Sequence, residues 1–71
     1  MSILSAVITP DPDGGYVSQN PETGTTSQGE TIDEALDNLK EATELYLEEF
    51  PNHYSGRSLM TTFEIEDAKA S

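Results

Sequence analysis

The chain has 71 residues, no cysteine, and fourteen acids against three basic side chains, for a net charge of −11. A single domain of this size buries only about 60% of its unfolded surface, and the lack of cysteine excludes disulfides and thiolate metal sites as extra support. Lys40, Arg57 and Lys69 are the only cations, too few to neutralise a run of phosphates, so direct nucleic-acid binding by this chain is not expected.

Residues 2–9, "SILSAVIT", read as a strand with Ile3 and Val7 on one face and Leu4, Ala6 and Ile8 on the other. "PDPDGG" follows, and clustered Pro, Asp and Gly are turn chemistry. Its two carboxylates faintly resemble a calcium loop, but the spread ligands and closing Glu of an EF-hand are missing. "YVSQ", residues 16–19, completes a hairpin, "NPETG" makes a second turn, and "TTSQ", residues 25–28, forms a third strand rich in threonine and poor in apolar area.

The strongest signal is helical. Thr31 and Glu34 make a Thr-x-x-Glu capping box, each side chain accepting from the other residue's backbone N–H. Apolar residues then recur at Ile32, Ala35, Leu36, Leu39, Ala42, Leu45, Tyr46 and Phe50, a 3.6-residue stripe, and Pro51 stops the helix. The loop "NHYSGRS" leads to "LMTTFEI", residues 59–65, a last strand with Leu59, Thr61, Phe63 and Ile65 on one face. The spacing therefore predicts an α+β fold: a three-stranded antiparallel meander, one long helix, and a fourth strand parallel to the first (β-β-β-α-β). One helix covers one sheet face, so the open face is expected to find a second copy, giving a homodimer or higher oligomer.

Catalytic chemistry finds little support. His53 is the single histidine, and Ser55 and Ser58 share its polar loop with no orienting acid, so the chain is not expected to be an enzyme. No metal or cofactor is expected. No apolar run approaches the roughly 18 residues of a membrane span, and the N-terminus lacks a basic signal-peptide start. A cytoplasmic protein is the expectation.

The acids of the helix carry the functional question. Asp37, Glu41, Glu44 and Glu48 recur every three or four residues off the apolar stripe, with Lys40 nearly alone among them. Like charges at this spacing repel by a few tenths of a kcal/mol per pair, and Glu48 and Glu49 oppose the helix macrodipole. Two readings stand: a solvated face, or a docking surface for a cationic partner.

"GGYVSQNPETGTTSQGETIDEALDNLKEATELYLEEF" resembles the core of the HicB-like antitoxins of HicA–HicB toxin–antitoxin systems. The resemblance lies in Gly15-Tyr16-Val17, in Pro21-Glu22, in Ser27 to Thr31 leading into the helix, and in the string from Glu34 to Glu48. It implies a half-size ribonuclease-H-like fold without ribonuclease activity. The implied partner is HicA, a small basic mRNA-cleaving toxin. Residues 1–65 then form one such domain and 66–71 a frayed tail, with none of the DNA-binding domain that many relatives carry. The turn after Pro21-Glu22 is shorter than in many relatives. An orphan structural or scaffolding oligomer without a toxin is the alternative expectation.

Overall fold

The computed structural model describes residues 3–51, 56 and 58–66. Strands β1 (Val7–Pro10), β2 (Tyr16–Gln19) and β3 (Thr26–Gly29) form one sheet in the order β1-β2-β3, followed by helix α1 (Ile32–Glu49). Both strand pairs are antiparallel, with Val7 opposite Gln19 and Tyr16 opposite Gly29. The expected α+β meander and long helix are therefore present.

β1 starts later than the strand expected over residues 2–9. Gln19 is the last residue of β2 and pairs with Val7, so the residues before Val7 have no β2 residue opposite them, and Ser5 bonds instead to the side chains of Asn20 and Glu22. The strand expected over residues 59–65 is also missing from the sheet. Described residues 58–66 have no regular secondary structure and are exposed, Leu59 and Phe63 at 92% and 83%. Residues 52–55, and with them His53 and Ser55, lie outside the described residues, as does most of the expected tail.

Two turns shape the meander. Between β1 and β2, Gly14 and Gly15 have φ of 107° and 78°, a region open to glycine. The Asp11 carboxylate accepts from the Asp13 N–H (2.8 Å), and the Gly14 N–H donates to the Asp11 carbonyl (2.9 Å). These acids serve a turn, as their clustering with Pro and Gly implies. Between β2 and β3, the Asn20 backbone bonds Thr25 O and Gly24 N at 2.9 and 2.8 Å.

Helix α1 begins where the sequence places it. Thr31 is the N-cap, with extended φ and ψ of −127° and 166°, and its Oγ1 accepts from the Glu34 N–H at 3.1 Å. The return bond differs from the expected capping box. The Glu34 carboxylate accepts from the Glu30 N–H (2.6 Å), one residue before the cap, and so anchors the chain as it leaves β3. Asp33 and Glu34 in the first turn also complement the helix dipole.

The apolar stripe is only partly used. Among the described residues, the buried apolar side chains are Ala35 and Leu39, while Ile32, Leu36, Leu45 and Phe50 remain exposed. The helix lies mainly over β3, less over β2, and barely reaches β1. Two features set this offset. The Asn38 side chain donates to the Gln28 carbonyl at 2.8 Å, tying the helix to β3. In addition, Gly29 lets the helix approach closely, because a Cβ there would lie 2.5 Å from the Ala35 nitrogen.

The open sheet face is more polar than expected. Ser18 points at the helix, donating to the Ala35 carbonyl at 2.8 Å, and its cross-strand partners Ile8 and Ser27 share that side. Alternation then puts Val7, Thr9, Val17, Gln19, Thr26 and Gln28 on the open face. Two valines among threonines and glutamines make a poor apolar patch.

Two substitutions test this account. Gly29→Ala forces a methyl onto helix backbone, and overpacking of this kind costs about 1–3 kcal/mol. Thr31→Ala removes the cap and costs about 1 kcal/mol. In a domain this small each kcal/mol lowers the melting temperature by about 4–8 °C. Thermal melts followed by circular dichroism should show both losses, and a wild-type melt for Gly29→Ala would mean the close approach is not present in solution.

Candidate partner-binding surface

The four acids singled out from the sequence lie on one helix. Asp37, Glu41, Glu44 and Glu48 are all exposed, on the side of α1 turned away from the buried Ala35, Leu39 and Thr43. Their spacing of four, three and four residues makes one continuous stripe along the helix. Lys40 is exposed on its margin, where Asp37 and Glu44 join it along the rim of a groove between the helix and Leu4, Ser5 and Ala6, the segment before β1. No basic residue occupies the last turn to offset Glu48 and Glu49. The helix thus presents carboxylates along most of its outer length, up to the end where its own dipole disfavours them.

The helix is held over the sheet by hydroxyl groups as much as by apolar contact. Thr43 is buried, and its Oγ1 lies 2.8 Å from that of Thr25, which is in turn 2.8 Å from the Thr23 hydroxyl. The Thr23 hydroxyl donates to Asn20 Oδ1, closing a chain of side-chain bonds from the helix to the β2–β3 turn. With Ser18 bonded to Ala35 O and Asn38 to Gln28 O, three polar links fix the angle at which the acidic face is presented.

Sequence reasoning missed the residue at the centre of this turn. Glu22 is 7% exposed, although it belongs to the Pro21-Glu22 turn. Its Oε1 accepts from the Ser5 N–H (2.8 Å) and from Asn20 Nδ2 (2.7 Å), and its Oε2 accepts from the Ser58 N–H. Asn20 Nδ2 also donates to the Ser5 carbonyl at 2.7 Å. Burial pulls the carboxyl pKa up, but the Ser58 and Ser5 backbone N–H groups, with the Ser5 and Asn20 side chains, outweigh it and hold it at about 2. The Pro21-Glu22 pattern marked a turn but not a buried carboxylate, because the backbone donors lie seventeen residues before Glu22 and thirty-six after it.

This carboxylate ties the segment before β1, the β2–β3 turn and the start of the C-terminal segment together. It does not face the acidic stripe, so the stripe and the staple are separate features. Among the described residues, no group of three or more His, Cys, Asp or Glu side chains could hold a metal ion. Nor is any described helix long and apolar enough to cross a membrane.

Glu22 makes stability depend on pH in a defined direction. Its folded pKa lies below the ordinary 4.5, so its contribution is complete above that pH and is lost as pH falls towards about 2. Acid also relieves the repulsion among the other carboxylates, so the comparison must be made against Glu22→Gln. The wild type should be the more stable above pH 4.5, and its advantage should shrink between pH 4.5 and about 2 in denaturant titrations. An advantage that is constant across this window would mean that Glu22 does not carry the charge-assisted bonds.

Comparison of the chain with protein-family models, with curated proteins and with solved structures finds no match.

Proposed function

We propose that this chain is an antitoxin-type, protein-binding module of the HicB-like kind, whose partner is a small basic mRNA-cleaving toxin. The observation that carries the reading is the joint occurrence of "SQGET" at the β3–α1 junction and "EALDNLKEATELYLE" along the helix. The three-stranded meander packed on one helix supports it as the first four elements of the frame that this resemblance implies, the last strand not being formed among the described residues.

The acidic stripe supplies the physical logic. A basic, RNA-binding toxin surface meets complementary potential along Asp37, Glu41, Glu44 and Glu48, which speeds encounter and favours the right partner. The chain acts by occupying that surface and not by catalysis. It works in the cytoplasm, where the toxin's messenger RNA substrates are. The exposed Leu59, Met60, Phe63 and Ile65 favour a second reading, an oligomer with a structural role and no toxin.

Kinetics separate the two readings. Electrostatic steering acts mainly on the association rate and fades with salt, the Debye length being about 8 Å at physiological ionic strength. Replacing Glu41 and Glu44 together by Gln should slow association with a basic HicA-type toxin and flatten its salt dependence, with the helical circular dichroism unchanged. Association of the double variant at the wild-type rate would reduce the stripe to a solvated face.

A further inference from the structure

A groove of about 680 Å³ opens between the helix and the segment before β1, with Leu4, Ala6, Leu36, Leu39 and Leu47 among its walls. Next to that segment, β1 is an edge strand of the sheet. The phase of its hydrogen bonds is set by the first turn. The Asp11 N–H donates to the Gly15 carbonyl, so the alternate pairs Thr9–Val17 and Val7–Gln19 exchange bonds between β1 and β2. The N–H and C=O of Ile8 then point outward, away from β2, and those of Ala6 follow in the same phase. Pro10 is next in that row and has no N–H to offer, so the open edge ends there.

The segment that fits this edge is already fastened at its end. One oxygen of Glu22 accepts the Ser5 N–H and the other accepts the Ser58 N–H, while the Ser5 hydroxyl donates to the Ser58 carbonyl at 3.3 Å. Ser58 is thereby held beside Ser5. The alternation of residues 59–65 gives the segment two faces but leaves its register open, and a slip of one residue would turn the apolar face away from the helix. A register anchored at Ser5 and Ser58 removes the ambiguity. It sets Leu59 level with Ala6 and Thr61 level with Ile8. Ile8 lies opposite Ser18, whose hydroxyl bonds the helix, so Leu59, Thr61, Phe63 and Ile65 all fall on the helix side. Met60, Thr62 and Glu64 fall on the open side with Val7 and Thr9.

We propose that the Glu22 carboxylate is a register latch: by clamping Ser58 beside Ser5 it sets residues 59–62 to close as a parallel strap along the outer edge of β1 of the same chain. In this register the Ile8 N–H meets the Met60 carbonyl, and the N–H groups of Met60 and Thr62 meet the carbonyls of Ala6 and Ile8. The ladder stops at Pro10, where no donor faces the strap. Pro10, Tyr16 and Gly29 form one row, and the helix starts just beyond it and runs back along the sheet. Leu59 therefore enters the groove towards Leu47, and Phe63, level with Pro10, enters towards Leu36. A strap fixed at its root closes at a high effective concentration, whereas exchange between copies brings together two chains of −11 each. The latch does not depend on the toxin-binding role.

The chain has no cysteine, so introduced pairs report the register directly. Thr9 and Thr62 are both exposed, and the latched register sets them level on the open face. Thr9→Cys with Thr62→Cys should form a disulfide within one chain in a glutathione redox buffer, read as the loss of two hydrogens from the monomer mass. Thr9→Cys with Thr61→Cys, one step out of register, should stay reduced. Glu22→Gln weakens the body as well as the latch, so Ser58→Pro, which removes only the Ser58 donor, is the sharper variant. It should keep the helical circular dichroism and lose the preference for position 62 over position 61. A disulfide between chains, no disulfide in either pair, equal yields from both, or a preference that survives Ser58→Pro would each overturn the proposal. The first of these would put the strap on a second copy.

Discussion

The buried carboxylate of Glu22 and the side chain of Asn20 form one hydrogen-bonded unit on which the rest of the structure depends. Asn20 uses both ends of its amide: Nδ2 donates to Ser5 O and Glu22, and Oδ1 accepts from the Thr23 N–H and hydroxyl. Glu22 adds bonds to the backbone of Ser5 and Ser58. A buried carboxylate is stable only when its charge is met by donors, and here three pieces of chain supply or organise them. No buried side-chain nitrogen or oxygen among the described residues lacks a partner.

This polar unit matters because the apolar core is small. Ala35 and Leu39 cannot by themselves offset the entropy of ordering the domain. The remaining interior is taken by Ser18, Asn20, Glu22 and Thr43, each hydrogen-bonded. Bonds of this kind contribute modest net stability but are costly to break once buried. They therefore specify geometry: the helix is set at one angle and one lateral position, over β3 and away from β1.

That lateral position links fold to function. It turns Asp37, Glu41, Glu44 and Glu48 outward as an uninterrupted stripe and at the same time leaves an open groove between the helix and residues 4–6. The two surfaces differ in chemistry. The stripe is charged and suits a cationic partner in water, whereas the groove is largely aliphatic and suits another apolar strand. The two surfaces meet at Asp37 and Glu44, which belong to the stripe and also line the groove.

The local pattern of the chain determined much of this. Thr31 as N-cap, the helix over residues 32–49, the glycine turn at Gly14-Gly15 and the strand at Tyr16–Gln19 all follow from interactions within a few residues, which sequence spacing displays. The acidic stripe was equally legible, since helical periodicity alone sorts it from the apolar residues. Tertiary structure decided what periodicity cannot. Ile32, Leu36 and Leu45 belong to the apolar pattern, yet they are exposed, Leu36 on the side that the displacement over β3 leaves open. Residues 59–65 have the alternation of a strand, yet they do not join this sheet, because alternation prepares a face for burial but does not supply the neighbour. Glu22 resembles any other acid in the chain until Ser5, Asn20 and Ser58 converge on it, and convergence across such distances in sequence is a property of the folded chain alone.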